Sequence, residues 1–230
     1  MESTRADLRR LRTAHSFLAA RSFYPLLLSS ALAYGLLAVR IGRTHSWAQT
    51  WLAWNLILAW VPYLASLWAL SAHLRRPHRP WLLIVPGALW LIFLPNAPYI
   101  VTDFMHLRPR PLVPLWYDVA ILASCAGTGL LLAYSSLADV QSVMARKFSQ
   151  HVGWLLAAAA LVLSGFGIYL GRVLRWNSWD AVSSPLQLAA DVADRALNPL
   201  AHPQTIGVTI VYGIALLLGY AAFRGSSPST

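Results

Sequence analysis

Apolar residues run along this chain in six long stretches, at about 23–39, 47–70, 81–101, 112–137, 152–171 and 205–223. A helix needs about 20 mainly apolar residues to cross a hydrocarbon core of about 30 Å. Each stretch therefore predicts a membrane-spanning helix, the first being short and in need of help from its flanks. The pattern divides the chain into a basic N-terminal segment (1–22), a six-helix transmembrane domain (23–223) and a disordered tail (224–230). The connection 172–204 is the only long one. Within it Leu186, Ala189, Ala190, Ala193 and Leu197 recur at helical spacing, with Ser183 or Ser184 as a cap and Pro185 in the first turn. This predicts a short amphipathic helix that lies on the membrane or caps a site. The expected fold is an all-α integral membrane protein of about six transmembrane helices plus that amphipathic helix. No small-residue cleavage site follows the first apolar run, so it is expected to stay as an anchor.

Composition narrows the class further. Only 11% of the 230 residues are charged and 57% are hydrophobic, with a mean hydropathy of +0.53. A soluble domain carries about 25% charged residues, so the lipid bilayer is the first partner. The excess of basic residues, 18 Lys+Arg against 8 Asp+Glu, would suggest nucleic acid in a soluble protein. Here the cations lie in the arginine-rich loops between apolar spans. They read as topology signals and lipid-headgroup contacts, with no nucleic acid. On six spans, 11 Lys+Arg fall on the side of the N-terminus and 7 on the opposite side. The positive-inside rule then places both termini in the cytoplasm, in a bacterial inner membrane. Regions 95–118 and 164–180 fall on the exoplasmic side. Five of the eight acids, Asp103, Asp118, Asp180, Asp191 and Asp194, share that side. Cys125 is the sole cysteine, which excludes an intrachain disulfide and a cysteine metal cluster.

Rare polar residues gather in three clusters. Pro95-Asn96-Ala97-Pro98-Tyr99 interrupts the third span, because Pro98 has no N–H and Pro95 disfavours helix at Leu94. Asn96 and Tyr99 thereby become binding candidates beside freed carbonyls. Asp103 and His106, three apart, share a helical face and can hold a divalent metal or exchange protons. Asp118, behind Trp116 and Tyr117, starts an apolar run and needs a cationic partner, for which Arg172 or Arg175 is the natural choice. It is a candidate catalytic acid. The aspartyl-protease pattern it suggests lacks its second half, since Gly165-Phe166-Gly167 continues with Ile168.

Gly165, Gly167 and Gly171 permit close helix packing. Tyr169 among them is a binding candidate, and after them Arg172, Arg175, Trp176, Asn177, Trp179 and Asp180 form a polar-aromatic cluster. Arginine forks bind phosphate or carboxylate bidentately, and neighbouring tryptophans can hold a headgroup or a sugar by stacking.

Phe93-Leu94-Pro95-Asn96-Ala97-Pro98-Tyr99-Ile100-Val101-Thr102-Asp103 and Ser164-Gly165-Phe166-Gly167-Ile168-Tyr169-Leu170-Gly171-Arg172, with Arg175-Trp176-Asn177-Ser178-Trp179-Asp180, resemble the bacterial multi-pass membrane family called domain of unknown function 1361. The resemblance covers about 45–222. It implies a small integral membrane protein without an established activity or catalytic residues to carry over.

Three functions remain open from the sequence. One is an exoplasmic-facing site for a lipid headgroup, phosphate or lipid-linked substrate, with or without enzymatic chemistry. The second is a small transporter. The third is an accessory or scaffold subunit with a membrane-protein partner or as a homo-oligomer. The cofactor is unknown, a divalent metal at Asp103 and His106 being the one candidate. No nucleotide-binding loop, nucleophile elbow or Cys-x-x-Cys is present.

Overall fold

A computed structural model describes residues 14–110 and 112–226. Most of the basic N-terminal segment (1–13) and the end of the tail (227–230) lie outside the described residues. Among the described residues the fold is carried by α1 Phe23–Thr44, α2 Thr50–Arg75, α3 Ile84–Phe93, α4 Asn96–Tyr99, α5 Leu115–Lys147, α6 Gln150–Arg172, α7 Asp180–Ser183, α8 Pro185–Leu197 and α9 Pro203–Ser226. Short 3-10 turns cover Pro80–Leu83, Ile100–His106 and Pro199–Ala201. Among the described residues, six segments are long and apolar enough to cross a membrane, the third being the composite Pro80–His106. The chain is an all-α integral membrane protein.

The helices outrun the apolar stretches that announced them. Hydropathy ends the first span at residue 39, whereas α1 continues to Thr44 and carries Arg40 inside. The fourth was expected over 112–137, but α5 runs for 33 residues. At 1.5 Å per residue that is about 50 Å, well beyond the hydrocarbon core. α9 reaches Ser226, so three residues of the expected tail are helical.

α5 is the central post. α1, α2, the composite third span and α6 all pack on it, and α9 packs on α6 from outside. Between helices in lipid there is little hydrophobic driving force, so van der Waals fit and polar contacts decide association. Small residues bring the backbones close. A Cβ on Gly129 of α5 would lie 2.4 Å from the Ala97 carbonyl oxygen of α4. A Cβ on Gly165 of α6 would lie 2.6 Å from the Thr209 carbonyl oxygen of α9. Indoles at mid-depth act as packing donors: Trp60 Nε1 donates to Ser30 Oγ at 3.0 Å and Trp90 Nε1 to Ser136 Oγ at 3.2 Å.

α1 and α5 run antiparallel and are tied along their whole length. Arg21, just before α1, donates to Asp139 near the end of α5 at 3.0 Å. At mid-span Ser29 Oγ and Thr128 Oγ1 are 2.5 Å apart. Thr128 already donates to the Ser124 carbonyl, so Ser29 donates here. Tyr117 donates to the Leu36 carbonyl at 2.9 Å. Arg40 Nε donates to Asp118 Oδ1 at 2.8 Å, both side chains being 2% exposed. The expected pairing of Asp118 with Arg172 or Arg175 is therefore corrected: hydropathy counted Arg40 as a loop cation, but the longer α1 carries it to the first turn of α5.

The loop after α6 contains the expected amphipathic helix, α8. Its Leu188, Asp191, Val192 and Arg195 are half-buried, while Leu186 and Leu197 are exposed. Ser184 occupies the N-cap position but makes no capping bond with its side chain, and Ser183 Oγ donates to Asp180 Oδ1 instead. Asp194 accepts from Asn198 and His202 at the far end. Those bonds hold its carboxyl below the usual carboxylate range.

Two substitution series test these contacts. Gly129→Ala should lower stability by about 1–3 kcal/mol through overpacking, while Gly35→Ala, whose Cβ meets nothing within 4 Å, should be near neutral in detergent thermal melts. Asp118→Asn leaves a buried arginine unpaired and should cost about 3–5 kcal/mol. The double change Arg40→Met with Asp118→Leu should recover most of that loss. If the double variant melts no higher than Asp118→Asn, the pair is not the cause.

Candidate functional site

The third span breaks where its prolines demand it, in a manner that differs from expectation in one detail. Leu94 stays helical (φ −53, ψ −42) despite preceding Pro95. Its carbonyl, which Pro98 cannot serve, accepts from Ala97 N at 3.2 Å instead. Asn96 Nδ2 donates back to the Phe93 carbonyl at 3.2 Å and across to Ser178 Oγ at 2.6 Å. The chain then tightens into the 3-10 run Ile100–His106. This winding turns Tyr99, Thr102, Asp103 and His106 toward one partner.

That partner is Arg172, the last residue of α6. Its guanidinium lies 4.3 Å from the centre of the Tyr99 ring. Nε donates to Thr102 Oγ1 at 3.0 Å, and Nη2 donates to Asp103 Oδ1. Nη1 donates to His106 Nε2 at 2.8 Å. A guanidinium has no acceptor, so the His106 ring nitrogen accepts there. Asn55 of α2 completes the knot by donating to Asp103 Oδ2 at 3.2 Å. The two residues weighed as metal ligands, Asp103 and His106, thus both face an arginine. Among the described residues no group of three His, Cys, Asp or Glu is arranged to hold a metal ion.

Glycines let α6 approach the broken span. A Cβ on Gly167 would stand 2.6 Å from the Pro95 ring, and one on Gly171 would stand 3.1 Å from Tyr99 Cε2. The two faces diverge above and around this contact and leave a cavity of about 840 Å³. α2 contributes Trp51, Trp54, Asn55 and Leu58, one helical face. The third span contributes Ile92, Pro95, Asn96, Tyr99, Asp103 and His106, and α6 contributes Leu163, Phe166, Gly167 and Leu170. Arg172, Trp176, Asn177 and Trp179 close one side, and Leu188 of α8 reaches in from above. Arg108 and Arg110 stand on the rim. Neither side chain has an ion pair or hydrogen bond among the described residues. Trp54, Ile92 and Leu163 on the cavity wall are exposed.

The sequence candidates divide accordingly. Asn96, Tyr99, Asp103, His106, Arg172, Trp176 and Asn177 come together on the cavity. Asp118 does not; it belongs to the Arg40 pair. Tyr169 is buried in the packing, its ring stacked near Phe166 at 6.4 Å. Asp180 turns away to accept from the Asn177 backbone N–H at 2.7 Å. Arg175 lies outside the cavity in a left-handed conformation (φ 64). Its turn lets Trp176 N donate to the Leu170 carbonyl at 3.1 Å, folding Trp176 back onto α6. Trp176 Nε1 in turn donates to Asp191 of α8 at 2.7 Å. Sequence reasoning missed Gln49, Trp51, Trp54, Arg108 and Arg110. Only the i, i+3, i+4, i+7 spacing of Trp51, Trp54, Asn55 and Leu58 signalled a shared face.

Neither the curated proteins nor the solved structures contain a match to this chain. A family model, described as "Protein of unknown function (DUF1361)", matches residues 54–218. That span includes both motif strings on which the resemblance rested and most of the cavity wall. The chain belongs to that family.

Proposed function

We propose that this protein binds an anionic amphiphile, its phosphate-bearing headgroup at the arginine rim and its apolar tail between the helices, on the exoplasmic side of the membrane. The observation that carries this reading is that free cations and an apolar wall line the same cavity. Arg108 and Arg110 are unpaired cations at the mouth, whereas Leu58, Ile92, Leu122, Leu163 and Phe166 supply apolar wall. Arginine is suited to phosphate by its fork of donors. Entry past the exposed Trp54, Ile92 and Leu163 would give a lipid a route from the bilayer. Asp103 and His106 act here by fixing Arg172 in place, and Asp103 neutralises it, so the free positive charge belongs to the rim. An apolar wall favours a resting site for a lipid over a conduction path for ions. The exposed stripe on α8 suits the membrane interface. The exoplasmic placement follows from the Lys/Arg balance of the loops.

Native mass spectrometry of the detergent-purified protein tests the binding. Phosphatidylglycerol should give a retained one-to-one adduct, and neutral diacylglycerol should not. Arg108→Gln with Arg110→Gln should weaken the adduct by about tenfold or more, as loss of charge-assisted bonds predicts. Equal retention of both lipids would refute a phosphate-reading rim. Orientation has its own check. With Cys125 buried, a membrane-impermeant thiol reagent on intact cells should label Gln187→Cys and leave Ser226→Cys unlabelled. The reverse pattern would turn the site to the cytoplasm.

A further inference from the structure

We infer that the headgroup carries a sugar, so that the ligand is a glycosyl group joined through phosphate to a lipid tail. The inference rests on the amphiphile reading above and specifies the part of the ligand that lies between the rim and the apolar wall. Its first support is Gln49. This residue stands on the cavity wall at the N-cap of α2, yet its side chain makes no capping bond. It is 6% exposed, and its Oε1 is buried with no hydrogen-bond partner. A buried polar group left unpaired costs about 1–3 kcal/mol. Such a group on a cavity wall is explained if a ligand supplies the partner.

The second support is independent of Gln49. Asn55 spends its Nδ2 on Asp103, and its Oδ1 has no partner among the described residues. Asn177 lies on the opposite wall, its Nδ2 only 3.4 Å from Asp180. Uncharged amides both donate and accept, which is what a ring of hydroxyls requires; a bare phosphate requires donors only. The third support is aromatic. Trp54 and Trp179, both on the cavity wall, lie side by side with ring centres 6.4 Å apart, at a tilt of 58°. Flat indole faces pack against the C–H face of a sugar ring, and amides at the edge read its hydroxyls. A plain phospholipid headgroup such as glycerol has no such face to offer.

The test uses the full chain in nanodiscs and three probes: a polyprenyl phosphate bearing one hexose, the same polyprenyl phosphate without sugar, and phosphatidylglycerol. The hexose-bearing probe should bind at least about tenfold more tightly than the other two, since a site that pairs hydroxyls discriminates strongly against analogues lacking them. Gln49→Leu keeps the side-chain volume and removes the unpaired amide, so its melting temperature should not fall. It should bind the hexose-bearing probe no better than the sugar-free one. If wild-type protein binds all three probes equally, the sugar is refuted and the amphiphile reading stands. If it binds none, both fall. If Gln49→Leu is folded and keeps the full preference for hexose, the role given to Gln49 is overturned.

Discussion

Each carboxylate buried among the described spans is matched to one arginine from a distant part of the chain: Asp118 to Arg40, Asp139 to Arg21 and Asp103 to Arg172. Unpaired charge at such depth costs several kcal/mol, so these matches set the register of the helices that carry them. Two of the three fasten α1 to α5 at opposite ends, and α1 cannot slide by a residue without breaking both. The third fastens α6 to the broken span and so fixes one wall of the cavity against another. The matches are economical in contact. Arg40 Nη1, Arg21 Nε and Asp139 Oδ2 are buried without partners, so each of the two α1 pairs rests on one hydrogen bond.

The membrane class, the spans and the amphipathic α8 were legible because each is written in periodicity over many residues. The ends of the spans were not. Hydropathy stops at a charge, whereas a helix continues through one whose partner is waiting on a neighbour. This is why Arg40 was read as a loop residue and Asp118 was given the wrong partner. Prolines marked the break in the third span correctly, yet the bond from Ala97 to the Leu94 carbonyl kept Leu94 helical. Asp103 with His106 and Arg172 with Arg175 read as two separate sites, one for a metal and one for phosphate. Helix α6 brings Arg172 onto Asp103 and His106, and a left-handed turn at Arg175 takes that residue elsewhere. Gln49 carries no local signal at all. Its meaning depends on a cavity built by residues far away in sequence.

The cavity shows how a rigid knot and a free rim can coexist. Tyr99, Thr102, Asp103 and His106 all engage the Arg172 guanidinium, and Asn55 holds Asp103 in turn, which makes that arginine a post. Its immobility holds the break at Asn96 and the end of α6 at a constant separation. The unpaired cations of the cavity lining are Arg108 and Arg110, on the connection that follows the 3-10 run. Shape is thus set in one place and charge is presented in another.

The pairing of α1 with α5 bears on how the chain is made. Arg40 and Asp118 are 78 residues apart, so α1 leaves the ribosome and meets the membrane well before its counter-charge exists. During that interval the Arg40 side chain has to extend toward the interface, as long cationic side chains do, and α1 can occupy its final depth only when α5 arrives. Insertion of this protein is therefore not a simple sequence of independent helices. The depth of α1 and that of α5 are settled together, by one charge pair shared between two spans.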